Sequence, residues 1–141
     1  MGNNEQVSFC VPIPVKEYNE ISSDQRAKKL FVNKKNKKYQ LILQGLFRSD
    51  TTVSIENYFT NSYATAEEEG KIIEQKQLLK NNNCFYATGY WNNAYYSSRF
   101  IEITWLRKDE LVKFEVSYPV ADSAIWKNRL QTICSFSSVC E

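Results

Sequence analysis

The 141-residue sequence predicts an α+β domain, an α/β sandwich with a mainly antiparallel central sheet flanked by helices, and three observations carry that expectation. Residues 99–106 and 110–118 each alternate in character with a period of two and are separated by a charged Arg107-Lys108-Asp109 turn. In the second run Val112, Phe114, Val116 and Tyr118 point one way, while Leu111, Lys113, Glu115 and Ser117 point the other. Such spacing marks a hairpin of two strands, each with one buried and one wetter face, placed at the centre of the sheet. The third observation is a change of period: Trp126, Leu130, Ile133 and Cys134 recur at helical spacing, with Ile125 flanking them. A helix over 123–134, capped by Asp122 or Ser123, is expected to lie over the strands. At 43% apolar and 14% aromatic content, the chain can bury a core as one domain over 1–141, with 1–6 as a flexible start.

Taken in order, residues 7–15 carry Phe9, Val11 and Ile13 on one parity and Pro12 and Pro14 on the other, which suits an edge strand or extended arm. Residues 16–25 are polar and read as a loop or short helix anchored by Tyr18 and Ile21. A second hairpin is expected over 27–46, with a strand at 30–32, a lysine-rich turn at 33–37 and a longer strand over 38–47. Gly45 interrupts that longer strand and predicts a bulge or close packing. Ser54 then caps a helix expected to run to about Ala66, its stripe formed by Ile55, Tyr58, Phe59, Ser62 and Tyr63. Glu67-Glu68-Glu69-Gly70 ends it. Residues 71–79 fit a short helix or a strand, and the strand is favoured, with Ile73 and Leu79 sharing one parity. Asn81-Asn82-Asn83 makes a turn into an aromatic-rich strand over 84–91.

The same residues exclude several chemistries. Without histidine, no Ser-His or Cys-His triad can be assembled. The four glycines are too scattered for a dinucleotide fingerprint or phosphate loop, and no cofactor is implied. Cys10, Cys84, Cys134 and Cys140 match no zinc spacing, so no metal site is expected; they are read as disulfide candidates. Of the three complete pairings, Cys10 to Cys134 with Cys84 to Cys140 is one geometric choice, and the even count hints at an oxidising compartment. Glu102 and Glu115, placed on paired strands, form either a catalytic carboxylate pair or, more simply, a polar sheet face with cross-strand ion pairs.

Two local anomalies remain. Arg26, Lys28, Lys29, Lys34, Lys35, Lys37 and Lys38 are uninterrupted by acid and form a candidate anionic contact, although lysines there also protect a sheet edge. Lysine predominates and no RNA-reading motif accompanies it, so nucleic acid is not the expected partner. Tyr90, Trp91, Asn92, Asn93, Tyr95 and Tyr96 form a candidate partner surface, because Tyr and Trp bury large areas while keeping a polar handle. There is no apolar run long enough for a membrane span. The start lacks a signal-like region, so it reads as a cytosolic start or as one left after a signal was removed; a lipid anchor is compatible with the latter.

The order of elements resembles the Mog1/PsbP-like superfamily. The resemblance rests on the proline-containing stretch from Phe9 to Pro14, the following hairpin, the helix opened by Thr52-Val53-Ser54-Ile55-Glu56-Asn57-Tyr58, the long strands, and the closing helix ending Ile133-Cys134-Ser135-Phe136. It covers nearly the whole chain through loose motifs. It implies a sheet packed between helices and a role among binding or assembly proteins: photosystem accessory subunits, Ran-binding proteins, or small bacterial lipoproteins. The resulting expectation is a noncatalytic, extracytoplasmic accessory domain of the periplasm or cell envelope whose partner is another protein. The alternatives are a carboxylate-based or metal-assisted enzyme and a polyanion-binding module.

Overall fold

The computed structural model describes residues 16–21, 28–48, 50–92, 98–107 and 110–135. Along the chain these form β1 (Tyr18–Ile21), β2 (Lys28–Asn33), β3 (Gln40–Phe47), α1 (Ile55–Asn61), β4 (Lys71–Leu79), β5 (Cys84–Trp91), β6 (Ser98–Leu106), β7 (Glu110–Pro119) and α2 (Ser123–Ser135). All seven strands join one sheet in the order β1-β2-β3-β7-β6-β5-β4, with every neighbouring pair antiparallel. The β6–β7 hairpin therefore lies at the middle of the sheet, as its two clean alternations predict.

One sheet face is the main core. Val112, Phe114 and Val116 of β7 sit opposite Trp105, Ile103 and Ile101 of β6, and all six are buried. Helix α2 closes this face: its Trp126 stacks on Tyr118 at 5.8 Å between ring centroids and meets Tyr18 edge-on at 6.4 Å. Ile133 is buried and Leu130 packs against the same cluster, whereas Ile125 is exposed. The Ser123 hydroxyl, expected to accept from the helix, instead donates to the Val120 carbonyl at 2.6 Å. A single 3-10 turn, Val120–Asp122, leads the chain from β7 into α2.

The opposite face is covered at one end by α1. Phe59 and Tyr63 pack edge-on against buried Phe85, at 5.6 and 6.3 Å. Ser54 caps α1 by accepting from the Asn57 amide, as its residue type predicts. The helix is shorter than expected, ending at Asn61, and the residues up to Gly70 form successive turns. Ser62 and Thr60 hydroxyls donate to carbonyls four residues earlier, a local competition that does little to extend a helix.

Three further expectations are corrected. The polar segment at Tyr18 is strand β1 rather than a loop or helix, held by its ladder to β2 from Tyr18↔Asn33 to Ile21↔Leu30. Consequently β2 is an inner strand, and its lysines do not protect a sheet edge. Of the two readings of Gly45 the bulge fails, since it keeps regular register with Val112, while its buried position is compatible with close packing. The bulge lies instead in β4 between Ile73 and Gln75, so Ile73 and Leu79 fall on opposite faces despite their common parity. The strand reading of Lys71–Leu79 is correct, and Asn83 adopts a left-handed backbone (φ 48°) at the turn into β5.

Candidate functional site

The end of the second face that α1 leaves uncovered carries a groove of about 710 Å³. Sheet register assembles its floor from distant parts of the chain. Ile42 of β3 lies opposite Glu115 of β7, which lies opposite Glu102 of β6. From β4, across β5, comes Lys71, whose own cross-strand neighbour is Trp91. The β5 residues between them on this face, Gly89 and Ala87, have little or no side chain, leaving room for the lysine to lie across the strand. Gly89 is required by close approach of the backbones: a Cβ there would come within 1.9 Å of the Ile72 carbonyl oxygen.

Lys71 is only 6% exposed and Glu102 only 5%. The Lys71 ammonium donates directly to Glu102 Oε1 and lies 3.0 Å from Glu115 Oε1, with Glu69 Oε2 at 3.9 Å. Two aromatic faces complete its surroundings, Trp91 at 5.0 Å and Phe100 at 5.5 Å from Nζ to the ring centroids. Trp91 is in turn fixed by donating Nε1–H to the Ser117 hydroxyl at 3.1 Å. Burial pulls the lysine's pKa down, but the Glu102 and Glu115 charges outweigh it and hold Lys71 above its ordinary range. Lys113, at 3.9 Å from Glu102 Oε2, contributes a second cation from the more exposed side.

The predicted proximity of Glu102 and Glu115 is thus real, with Glu102 buried and Glu115 partly exposed towards the groove. Their organiser, Lys71, was not anticipated. The signal for it was indirect: two carboxylates in direct cross-strand register repel and require a cation, and the nearest basic residue in sequence, Lys113, is partly solvated. The Lys71 ammonium bridges both acids and fills the space between them, and with Lys113 beside Glu102 two cations face the two carboxylates. Among the described residues, no group of three or more ligating side chains is arranged to hold a metal ion.

The candidate partner surface is divided by the sheet. Tyr90 and Trp91 point to opposite faces; Trp91 lines the groove, and Tyr90 stands 39% exposed on the other side. Asn92 is exposed and its amide donates to the Gly70 carbonyl at 2.7 Å, closing the mouth of the β4–β5 pair. Asn93, Tyr95 and Tyr96 lie outside the described residues.

The basic segment is similarly distributed. Lys28 and Lys29 belong to β2, and Lys29 pairs loosely with Glu20 at 3.9 Å. Lys34, Lys35, Lys37 and Lys38 are exposed in the β2–β3 turn, and the last two reach the groove. Asn33 and Asn36 build that turn by accepting backbone N–H groups of Lys35, Asn36 and Lys38. Arg26 lies outside the described residues.

Of the cysteines, Cys84 is fully buried at the start of β5, and Cys134 belongs to the last turn of α2. Cys10 and Cys140 lie outside the described residues, so both expected pairings extend beyond them. No helix among the described residues is long and apolar enough to cross a membrane.

Seven antiparallel strands between two helices define the class: an α+β domain with a PsbP-like fold. Seven chains of solved structures match it, among them the solution structure of cyanobacterial PsbP (CyanoP) from Synechocystis sp. PCC 6803. That match has a TM-score of 0.53 and 10% sequence identity, covering 92% of this chain and 96% of the other. No protein-family model and no curated protein sequence matches the chain. The likeness is one of fold, and function has to be argued from the groove itself.

Proposed function

We propose that this protein is a noncatalytic accessory domain that binds another protein through the groove on the open half of its sheet. The observation that carries this reading is the saturated floor. Lys71 engages both Glu102 and Glu115, and Lys113 approaches Glu102, so each of these charges already has a partner, while Trp91 and Ile42 offer apolar surface beside them. Charges neutralised internally stiffen a surface, and a rigid aromatic beside them supplies contact area at low entropic cost.

A single domain spanning residues 1–141, membership of the wider Mog1/PsbP-like superfamily, and a role in the periplasm or cell envelope as a small lipoprotein-type factor complete the reading. The PsbP-like fold supports the accessory reading, since one solved structure that shares it is a cyanobacterial PsbP.

Photo-crosslinking tests it. A crosslinking amino acid is placed at Gln40 on the groove, or at exposed Lys127 of α2 as a control, and the protein is incubated with extract of its source cells. A discrete protein adduct from position 40, absent from position 127 and lost in Trp91→Ala, is expected. Adducts that ignore Trp91→Ala, or that form equally from both positions, overturn the reading.

A further inference from the structure

The groove is electrically lopsided, and that asymmetry specifies its occupant. Below, Lys71 and Lys113 face Glu69, Glu102 and Glu115 at 3.9 Å or less, leaving one carboxylate in excess. Above, on the β2–β3 turn, Lys34, Lys35, Lys37 and Lys38 are all exposed and make no ion pair among the described residues. The turn's four cations therefore outnumber the uncompensated acid, and two of them, Lys37 and Lys38, stand at one wall of a groove whose interior presents Ile42 and Trp91. From β3, which carries Ile42, to β5, which carries Trp91, the face spans three strand spacings, about 14 Å, or roughly four residues of extended peptide.

We infer that the groove takes an acidic peptide segment of a partner protein, in which one or two carboxylates are followed within about four residues by an aromatic or large aliphatic side chain. The carboxylates meet Lys37 and Lys38, and the apolar side chain lies on Trp91. A nucleic acid fits less well, because Glu69 and Glu115 line the same groove and would oppose a regular row of phosphates, whereas a peptide places its few charges at one end. This inference rests on the proposed protein-binding role and adds the partner's chemistry to it.

Fluorescence anisotropy with labelled decapeptides tests it on the full chain. The panel is an acidic peptide with one Trp four residues after a Glu-Asp pair, its Trp→Ser version, its version with Lys in place of the acids, and a ten-nucleotide oligo-dT. The first is expected to bind at least ten-fold tighter than the second and third, and to weaken several-fold between 50 and 300 mM salt. The Lys37→Glu/Lys38→Glu double variant should lose at least ten-fold in affinity for it, with Lys127→Glu unchanged. Both reversed lysines are exposed turn residues, so the fold survives their change, as circular dichroism will verify.

Tighter binding of the lysine-containing peptide, still sensitive to Trp91→Ala, overturns the acidic partner and leaves the groove reading standing. Tighter binding of oligo-dT, lost in the lysine variant, overturns both. Affinity indifferent to both the lysine and the Trp91 variants also overturns both.

Discussion

Lys71 is the residue on which the open face depends. Its ammonium sits between two carboxylates with almost no access to water, and each charge there is tolerable only because of the others. Lys71→Met should cost about 3–5 kcal/mol in urea-induced unfolding, because it leaves buried Glu102 facing Glu115 without the cation between them. Adding Glu102→Gln and Glu115→Gln should recover most of the loss; a triple variant as unstable as the single one would mean that packing rather than charge holds the site. The pH dependence has a definite sign. Lys71, Tyr18, Tyr63 and Tyr118 all have pKa values raised by the fold: for the tyrosines burial is the main cause, and for Lys71 the glutamates overcome burial. Each holds its proton more tightly folded than unfolded. Their contribution is complete below the unfolded values, 10.0 for tyrosine and 10.5 for lysine, and is lost as pH rises through the higher folded ones. The urea midpoint should therefore hold near pH 9 and fall steeply towards pH 12, and part of that fall should disappear in Lys71→Met.

At the scale of elements, the β4–β5 pair and the α2 cover are the sensitive points. Gly89→Ala drives a methyl group into the Ile72 carbonyl and should destabilise by at least about 2 kcal/mol, with loss of amide protection concentrated in β4. A uniform loss of protection would show that β4 does not open separately. The bulge beside Gly89 has its own consequence: Glu74, the extra residue, pairs with Arg99, and the strand's parity reverses after it. Lys71 and Ile73 therefore serve the groove face, Leu78 the α1 end of that face, and Leu79 the main core. On the other face, Trp126→Ala removes a ring stacked on Tyr118 and should cost about 3–5 kcal/mol in the same unfolding assay. Trp126 was legible as a core residue from helical spacing alone. The bulge was not, because a single extra residue leaves composition unchanged while reversing every later side chain.

For the whole molecule, the strand order places stability in the middle and exposes the two flanks. Among the described residues β2, β3, β7, β6 and β5 each have a ladder on both sides, whereas β1 and β4 have one neighbour each in the sheet. Hydrogen exchange should be slowest in the β6–β7 hairpin and fastest among the strands in β1. Equal protection across the sheet would require a second covering element over β1. The two helices lie on opposite faces at different positions, and this offset leaves half of one face open as the groove. Because that half is rimmed by exposed turn lysines, Lys37→Glu/Lys38→Glu should change unfolding free energy by no more than about 0.5 kcal/mol. Its effect belongs to binding.

The alternation of 99–118 and the helical stripe of 126–134 determined the fold class, the central hairpin and the closing helix without any tertiary information, because local periodicity records which face of an element is buried. β1 escaped that logic. It is short, only Tyr18 is buried, and its pairing to β2 supplies what its composition does not. The site divides in the same way. The register Glu102↔Glu115 could be read from two adjacent alternating strands, but the cation between them comes from a strand two places away in the sheet and some thirty positions earlier in the chain. Periodicity carries no information about which distant strand will arrive alongside; sheet order alone decided that Lys71 bridges the pair and that Trp91, Lys37 and Lys38 share one groove.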